Sequence, residues 1–217
     1  MAETLTLYDY WRSSSAYRVR IALNLKGLDY RQVPVHLVRD GGQQNSPSYR
    51  KINPLGLVPV LVHGERVVVQ SLAICEYLDE SFDARPLLPA GPADRARVRG
   101  LVQSVCSEVQ PLNNLSVMQY LKGEMKTSDN DYRRWYGHWI ARGFQAIEFW
   151  LNDPSSGRFC HGDTPGLADC FLVPQVYNAE RFSCDLGPYP RIREITARCR
   201  DLEAFEKAVP ERQSDAE

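Results

Sequence analysis

Three consecutive hydroxyls, Ser13, Ser14 and Ser15, stand between a stretch that reads as a strand (residues 5–10, LTLYDY) and one with helical apolar spacing at Val19, Ala22, Leu23 and Leu25. The start of a helix gathers free backbone N–H groups and the positive end of the peptide dipole, so an anion is stabilised there. A cysteine in this corner would be a reactive thiolate. None is present, and thiol–disulfide exchange by the corner is excluded. A serine without a base is a poor nucleophile, and no histidine is evidently placed to activate one. A hydroxyl does donate well to an anion, so the corner is suited to a thiolate carried by another molecule. Helix capping by the serines is the alternative reading, and the local residues are compatible with both.

The elements that must hold this corner follow in order. After the first helix, closed by Lys26 and Gly27, residues 30–38 return to strand. A polar stretch, RDGGQQNSPSYRKINP, reads as a loop with a short helix near residues 48–51. Residues 58–62 and 66–70 make a hairpin around His63-Gly64-Glu65. A helix then starts from Ser71, which is expected at or near its N-cap. Residues 1–83 thus form an α/β domain of order βαβαββα, a thioredoxin-like arrangement. A Pro-, Ala- and Gly-rich linker (84–92) leads to an all-helical domain (93–217). Its helices are expected around Pro111 and over 132–153, 166–182 and 191–209, with a frayed polar tail from 210. The aromatic stripe Trp135, Trp139, Phe144 and Trp150 reads as helix-packing core. Arg18 and Arg20 read as helix-surface or domain-contact residues.

Within that frame three further features point at the corner. Pro59, in LVPV, lies where a thioredoxin-like fold often has a cis proline that turns the backbone of Val58 toward the reactive corner; a trans edge proline is the alternative. Gln70 and Ser71 stand at a second helix N-terminus, suited to a carboxylate. Gln44, in GGQQ, offers a neutral amide with donor and acceptor. Together they describe a groove for an extended peptide bearing a thiol and a carboxylate.

Composition narrows the rest. Lys and Arg number 26 against 27 Asp and Glu, which gives no electrostatic reason to bind nucleic acid or an anionic membrane. The first residues carry neither the basic nor the apolar region of a signal peptide, and no apolar run reaches membrane-spanning length, so a cytoplasmic protein is expected. The six cysteines include no C-x-x-C pair and read as scattered thiols in a reducing compartment. The four histidines show no metal-ligand spacing, and no metal is expected.

The stretch SSSAYRVRIAL resembles the Ser-Ser-Cys-x-x-Arg-Val-Arg-Ile-Ala-Leu signature of zeta-class glutathione transferases, the maleylacetoacetate isomerases. The likeness continues through DGGQQ, NPLGLVP, QSLAICEYL, QPLNNLSV and LVPQVYNAERF, over essentially the whole chain. Ser15 departs from it, standing where many members have cysteine. Gly166 also departs, standing where the family has the Ser or Thr of an N-capping box that ends at Asp169; a small stability cost is expected.

The resemblance implies a glutathione transferase architecture, reduced glutathione as cofactor and a homodimer. It places the cysteinyl sulfur by Ser13, Ser14 and Ser15 and the cysteinyl backbone on Val58 before Pro59. The γ-glutamyl end falls to Gln70 and Ser71 and the glycyl part to Gln44. Gln110, Asn114 and Ser116 close the second side. The implied reaction converts maleylacetoacetate to fumarylacetoacetate in tyrosine and phenylalanine catabolism. A thiolate adds to the conjugated double bond, rotation occurs about the resulting single bond, and the thiolate leaves. The carboxylates of such a dicarboxylate-type substrate call for arginine forks, for which Arg12 and Arg181 are candidates. Their structural alternatives are a solvated loop arginine and a salt bridge to Glu180 or Asp185.

Three other activities stay open: maleylpyruvate isomerisation, conjugation or dehalogenation with the same thiolate, and non-catalytic glutathione binding. By resemblance, maleylpyruvate isomerases carry arginine in the region of Leu115 and Ser116, which favours maleylacetoacetate here.

Overall fold

The computed structural model describes residues 4–217; Met1, Ala2 and Glu3, at the head of the expected first domain, lie outside the described residues. The chain forms two compact units, one of residues up to Leu87 together with Asp201–Glu217, the other of Leu88–Arg200.

The first unit follows the expected order: β1 (Leu5–Asp9), α1 (Ser14–Lys26), β2 (Tyr30–Pro34), α2 (Pro47–Ile52), β3 (Val60–His63), β4 (Arg66–Val69) and α3 (Ser71–Ser81). The sheet order is β2-β1-β3-β4, with β1 parallel to β2 and β3 antiparallel to both its neighbours. β2 stops at Pro34, which has no N–H to continue a ladder.

α1 begins at Ser14 because Ser13, in extended conformation, caps it: its Oγ accepts the Ala16 N–H at 3.3 Å. It ends at Gly27, whose φ of 67° suits a residue without a Cβ, and the Leu28 N–H returns to the Leu23 carbonyl at 3.0 Å.

Arg18 and Arg20 correct the surface reading. They are 1% and 0% exposed. Arg20 Nη1 donates to both oxygens of the equally buried Asp9 at 2.9 Å, Nη2 to the Trp11 carbonyl at 2.9 Å, and Nε to the Ala208 carbonyl at 3.0 Å. A buried guanidinium survives because its fork is paired with a carboxylate and two carbonyls.

Residues 201–217 are also corrected. The helix expected over 191–209 is interrupted, since Leu202 takes an extended conformation (φ −90°, ψ 131°) before α9 (Glu203–Glu206). The break lets Phe205 and Ala208 bury completely. Asn24 Nδ2 holds the Ala204 carbonyl at 2.9 Å, and the Trp11 N–H donates to Asp215 Oδ2 at 3.0 Å. The tail read as frayed is therefore bonded to the sheet unit, which is why 201–217 group with it and not with the helices.

The second unit carries α4 (Pro92–Gln103), α5 (Leu115–Gly123), α6 (Asp129–Leu151), α7 (Leu167–Arg181) and α8 (Pro190–Arg200). Between α4 and α5 the chain passes through a wide π turn (Ser104–Val109) and a 3₁₀ turn (Gln110–Asn113). α6 approaches that π turn closely. A Cβ on Gly143 would lie 2.0 Å from Val109 Cγ2, so only glycine fits there. Of the aromatic stripe, Phe144 is fully buried and the Trp135 indole N–H donates to the Leu112 carbonyl at 2.8 Å. Trp150 is 43% exposed, beside Phe149 at 76%, and is not core: it sits on the outer side of the last turn of α6.

α7 starts at Gly166, whose N–H donates to Asp169 Oδ2 at 2.9 Å, while Oδ1 accepts the Cys160 N–H at 2.9 Å. Glycine has no side chain for the reciprocal half of a capping box, so one carboxylate does the capping.

Candidate functional site

Strand register builds the site. Asp9 of β1 pairs with Pro34 of β2, Tyr8 with Val60 of β3, and Val60 with Val69 of β4. Four connections therefore emerge at one end of the sheet. From β2 across to β4 they are the loop carrying Gln44, the serine corner, Val58–Pro59, and Gln70–Ser71. With strands about 4.8 Å apart, this row spans about 14 Å, room for an extended tripeptide.

The corner itself is a turn closed by the Ser13 N–H to the Tyr10 carbonyl at 2.9 Å. Beneath it Tyr10, Trp11, Val35, Tyr49, Val58 and Val60 form a buried cluster. Ser13 caps α1, Ser14 is 9% exposed, and Ser15 is half-buried. Among the described residues, the backbone N–H groups of Ser14 and Ser15 and the hydroxyls of the same two residues have no hydrogen-bond partner. Donors left open at the positive end of a thirteen-residue helix are suited to receiving an anion.

The Val58–Pro59 peptide is cis. The carbonyl of Leu57, just before it, is gripped by Tyr49 Oη and Asn53 Nδ2, both at 2.8 Å.

α3 starts at Ser71, as expected, and its N-cap is Gln70, with φ 73°, a backbone region costly to any residue but glycine. Gln70 is exposed and provides no side-chain cap, which leaves the first amides of α3 open. The Ser71 hydroxyl accepts from Arg18 Nη1 at 3.2 Å. Arg18 thus underlies the second N-terminus with a permanent positive charge. Its signal in the sequence was an arginine set among apolar residues in YRVRIAL.

The Gln44 loop is closed by paired bonds. The His36 N–H donates to Gln43 Oε1 and the Gln43 N–H to the His36 carbonyl, each at 2.8 Å. Gln44 Nε2 donates to the Leu37 carbonyl at 3.0 Å, and its Oε1 is buried with no partner. An orphaned acceptor here fits an N–H supplied from outside. The guanidinium of Arg12 lies 4.9 Å from the Trp11 ring centroid, and no carboxylate among the described residues pairs with it.

The other residues expected at the site lie in the second unit and are described by themselves. Gln110 opens the 3₁₀ turn and is half-buried. Asn114 is the N-cap of α5, its Oδ1 accepting the Ser116 N–H at 3.1 Å and the Ser116 hydroxyl at 3.2 Å, so its Nδ2 remains to donate. Arg181 ends α7, exposed, 5.2 Å from the Phe182 ring centroid. The partners expected for it are otherwise engaged. Glu180 binds Arg200 at 2.6 Å, and Asp185 accepts the Gly187 N–H at 2.8 Å.

No cysteine lies in the corner, and none is disulfide-bonded. Burial and the neighbouring Asp169 push the thiols of Cys160 and Cys199 up, and burial alone raises Cys184, the opposite of nucleophile activation. Among the described residues no group of three His, Cys, Asp or Glu side chains could hold a metal ion, and no helix is long and apolar enough to cross a membrane.

An open helix N-terminus beside a cis proline, on a four-stranded sheet of this order, defines a thioredoxin-like domain of the glutathione transferase kind. Residues 3–80 match the family described as "Glutathione S-transferase, N-terminal domain". A Vibrio cholerae protein named "Probable maleylacetoacetate isomerase" is 48% identical over 213 residues, covering 98% of this chain and 99% of that protein. A solved holo structure of maleylpyruvate isomerase, titled a bacterial zeta-class glutathione S-transferase, superposes with a TM-score of 0.94 at 44% identity, covering 98% of this chain and all of that one. The maleylacetoacetate isomerase of Methylobacterium extorquens, solved with malonate and glutathione bound, gives 0.93 at 36% identity, covering 98% and 99%. The chain belongs to the zeta class of glutathione transferases, the family of the maleylacetoacetate isomerases.

Proposed function

We propose that this protein is a glutathione-dependent cis–trans isomerase that converts maleylacetoacetate to fumarylacetoacetate. The observation that carries the reading is the lateral order of the strand ends. A buried orphan acceptor at Gln44, open N–H and O–H donors at the serines, the cis Val58–Pro59 junction and open amides at Gln70–Ser71 follow one another. The glycyl, thiol, cysteinyl-backbone and γ-glutamyl carboxylate groups of glutathione follow in the same order. Solved relatives with glutathione bound support it.

When bound, glutathione supplies a thiolate that adds to the conjugated double bond and leaves after rotation. The residues of the chain create the conditions. The Ser14 and Ser15 amides and hydroxyls, with the α1 dipole, favour the sulfur's charged form. Ser13 holds the helix start in place and keeps its own O–H to donate. The Val58 backbone holds the cysteinyl unit in register, as an added strand would. The open amides of α3, above Arg18 and Ser71, take the γ-glutamyl carboxylate, and Gln44 receives the glycyl end. Gln110, Asn114 and Ser116 remain candidates through the family resemblance. Arg12 and Arg181, neither paired with a carboxylate among the described residues, are assigned the substrate's carboxylates. Family membership supports a cytoplasmic homodimer in aromatic amino acid catabolism.

The test is conversion of maleylacetoacetate by purified protein with and without glutathione. Loss of the cis isomer only with glutathione supports the reading; glutathione binding without turnover makes the protein a binding module. Maleylpyruvate is the second substrate to measure, because the solved maleylpyruvate isomerase superposes so closely. The residues Leu115 and Ser116, in place of arginine, support a higher kcat/KM for maleylacetoacetate.

A further inference from the structure

The segment 208–217 touches both ends of the thiol half of the site. Trp11 lies inside the turn that sets the serine corner, and both of its backbone groups are held by side chains. Arg20 Nη2 donates to its carbonyl at 2.9 Å, and its N–H donates to Asp215 Oδ2 at 3.0 Å, across 204 residues of sequence. Arg20 is itself tied to the segment through the Ala208 carbonyl at 3.0 Å. Gln213 Nε2 donates to the Val209 carbonyl at 2.8 Å, which folds the segment onto itself; its Oε1 meets Gln32 Nε2 at 3.4 Å.

At its far end Glu217 bonds Arg39, and its Oε1 stands 3.3 Å from His36 Nε2. His36 Nδ1 accepts the Arg39 N–H at 2.8 Å, which leaves Nε2 to carry the ring hydrogen; Nε2 makes no hydrogen bond, so the bond of Glu217 to this loop is the one to Arg39. His36 and Arg39 flank the loop that carries Gln44. One short segment thus bonds the serine turn at Asp215 and the Gln44 loop at Glu217.

We infer that residues 208–217 are a strap that positions the glutathione site, with Asp215 the positioning residue for the serine corner and Glu217 for the Gln44 loop. The inference rests on the glutathione reading of that site. Asp215 touches no reacting atom. It fixes the Trp11 amide, and through the Tyr10–Ser13 turn it fixes where the Ser14 and Ser15 donors point. A charged acceptor lost from a half-buried N–H leaves the turn free to shift, and the donors lose their common aim.

Three variants of the full chain test it: Asp215→Ala, Asp215→Asn and Glu217→Gln. Asp215→Ala raises the calorimetric Kd and the KM for glutathione about tenfold, the size of one lost charge-assisted bond, with kcat at saturating glutathione kept within about threefold. Asp215→Asn keeps an oxygen acceptor and stays within about twofold of wild type. Glu217→Gln, at an exposed pair, raises Kd about twofold. A second readout needs no ligand: exchange of the Trp11 amide hydrogen speeds up about tenfold in Asp215→Ala and not in Asp215→Asn.

Equal Kd and equal exchange in wild type and Asp215→Ala overturn the strap. So does a fall in melting temperature shared by the Ala and Asn variants with no change in Kd, which would make the residue structural only. If wild type itself binds no glutathione, the functional reading fails, and the amide exchange still decides whether the strap exists.

Discussion

Two helix N-termini in this molecule use one physical device for opposite ends. At α7, Asp169 of the same chain fills the anion position, accepting the Gly166 and Cys160 N–H groups. It is 1% exposed, and burial holds its carboxyl above the ordinary aspartate range despite those bonds. At α1 none of the described residues fills the position. Ser13 caps only Ala16, and the next two amides and hydroxyls stay open at a half-buried surface. A structural N-terminus closes on its own anion and accepts the desolvation cost; a functional one keeps its donors for a visitor. α3 takes the second course more strongly, with an N-cap at φ 73° that contributes no side chain.

The largest break in this contrast is expected at Asp169. Asp169→Ala strands two inward amides and lowers stability by about 3 kcal/mol, or about 10 °C in melting temperature, in a thermal melt. An unchanged melt would remove α7 as the closed case. Next comes Ser14→Ala, which deletes a donor from the open case. Turnover with saturating glutathione falls about 100-fold while the melting temperature holds, whereas Ser13→Ala also costs about 1 kcal/mol of stability through the lost cap. If both alanine variants keep full rate, the serines have no part in the chemistry.

Gln70→Gly sharpens the comparison at α3. Relief of the positive φ raises stability by about 1 kcal/mol, while the loosened N-terminus weakens glutathione binding severalfold by calorimetry. The smallest effect is a pH trend. Because the fold favours the neutral form of Asp169, its contribution is complete below the ordinary aspartate pKa and is lost as pH rises through the raised one. The stability of wild type relative to Asp169→Asn therefore declines over that window in denaturant titrations, and a rise would contradict the assignment.

What the sequence disclosed is what is local. The serine corner, the hairpin and the start of α3 follow from patterns a few residues long, and Val58–Pro59 from the run LVPV. Arg18 and Arg20 did not, since arginines on a helix read as solvent-facing unless their partners are known. Those partners, Ser71 and the Ala208 carbonyl, lie 53 and 188 residues away. The tail misread as frayed fails for the same reason: its polar residues are bonded to Trp11, Gln32 and Arg39, which no local window contains. Trp150 misled in the other direction, because apolar spacing names a helix face without saying where that face runs out at the end of α6.

The central claim is that the open end of α1 holds a sulfur anion that the protein does not itself supply. Ultraviolet titration of the thiolate in the glutathione complex tests it most directly. A free thiol of this kind titrates near its ordinary value of about 8.5, and the account predicts a bound value at least about one unit lower, moving back up in Ser14→Ala. A bound thiol that titrates at the same pH as free glutathione would contradict it.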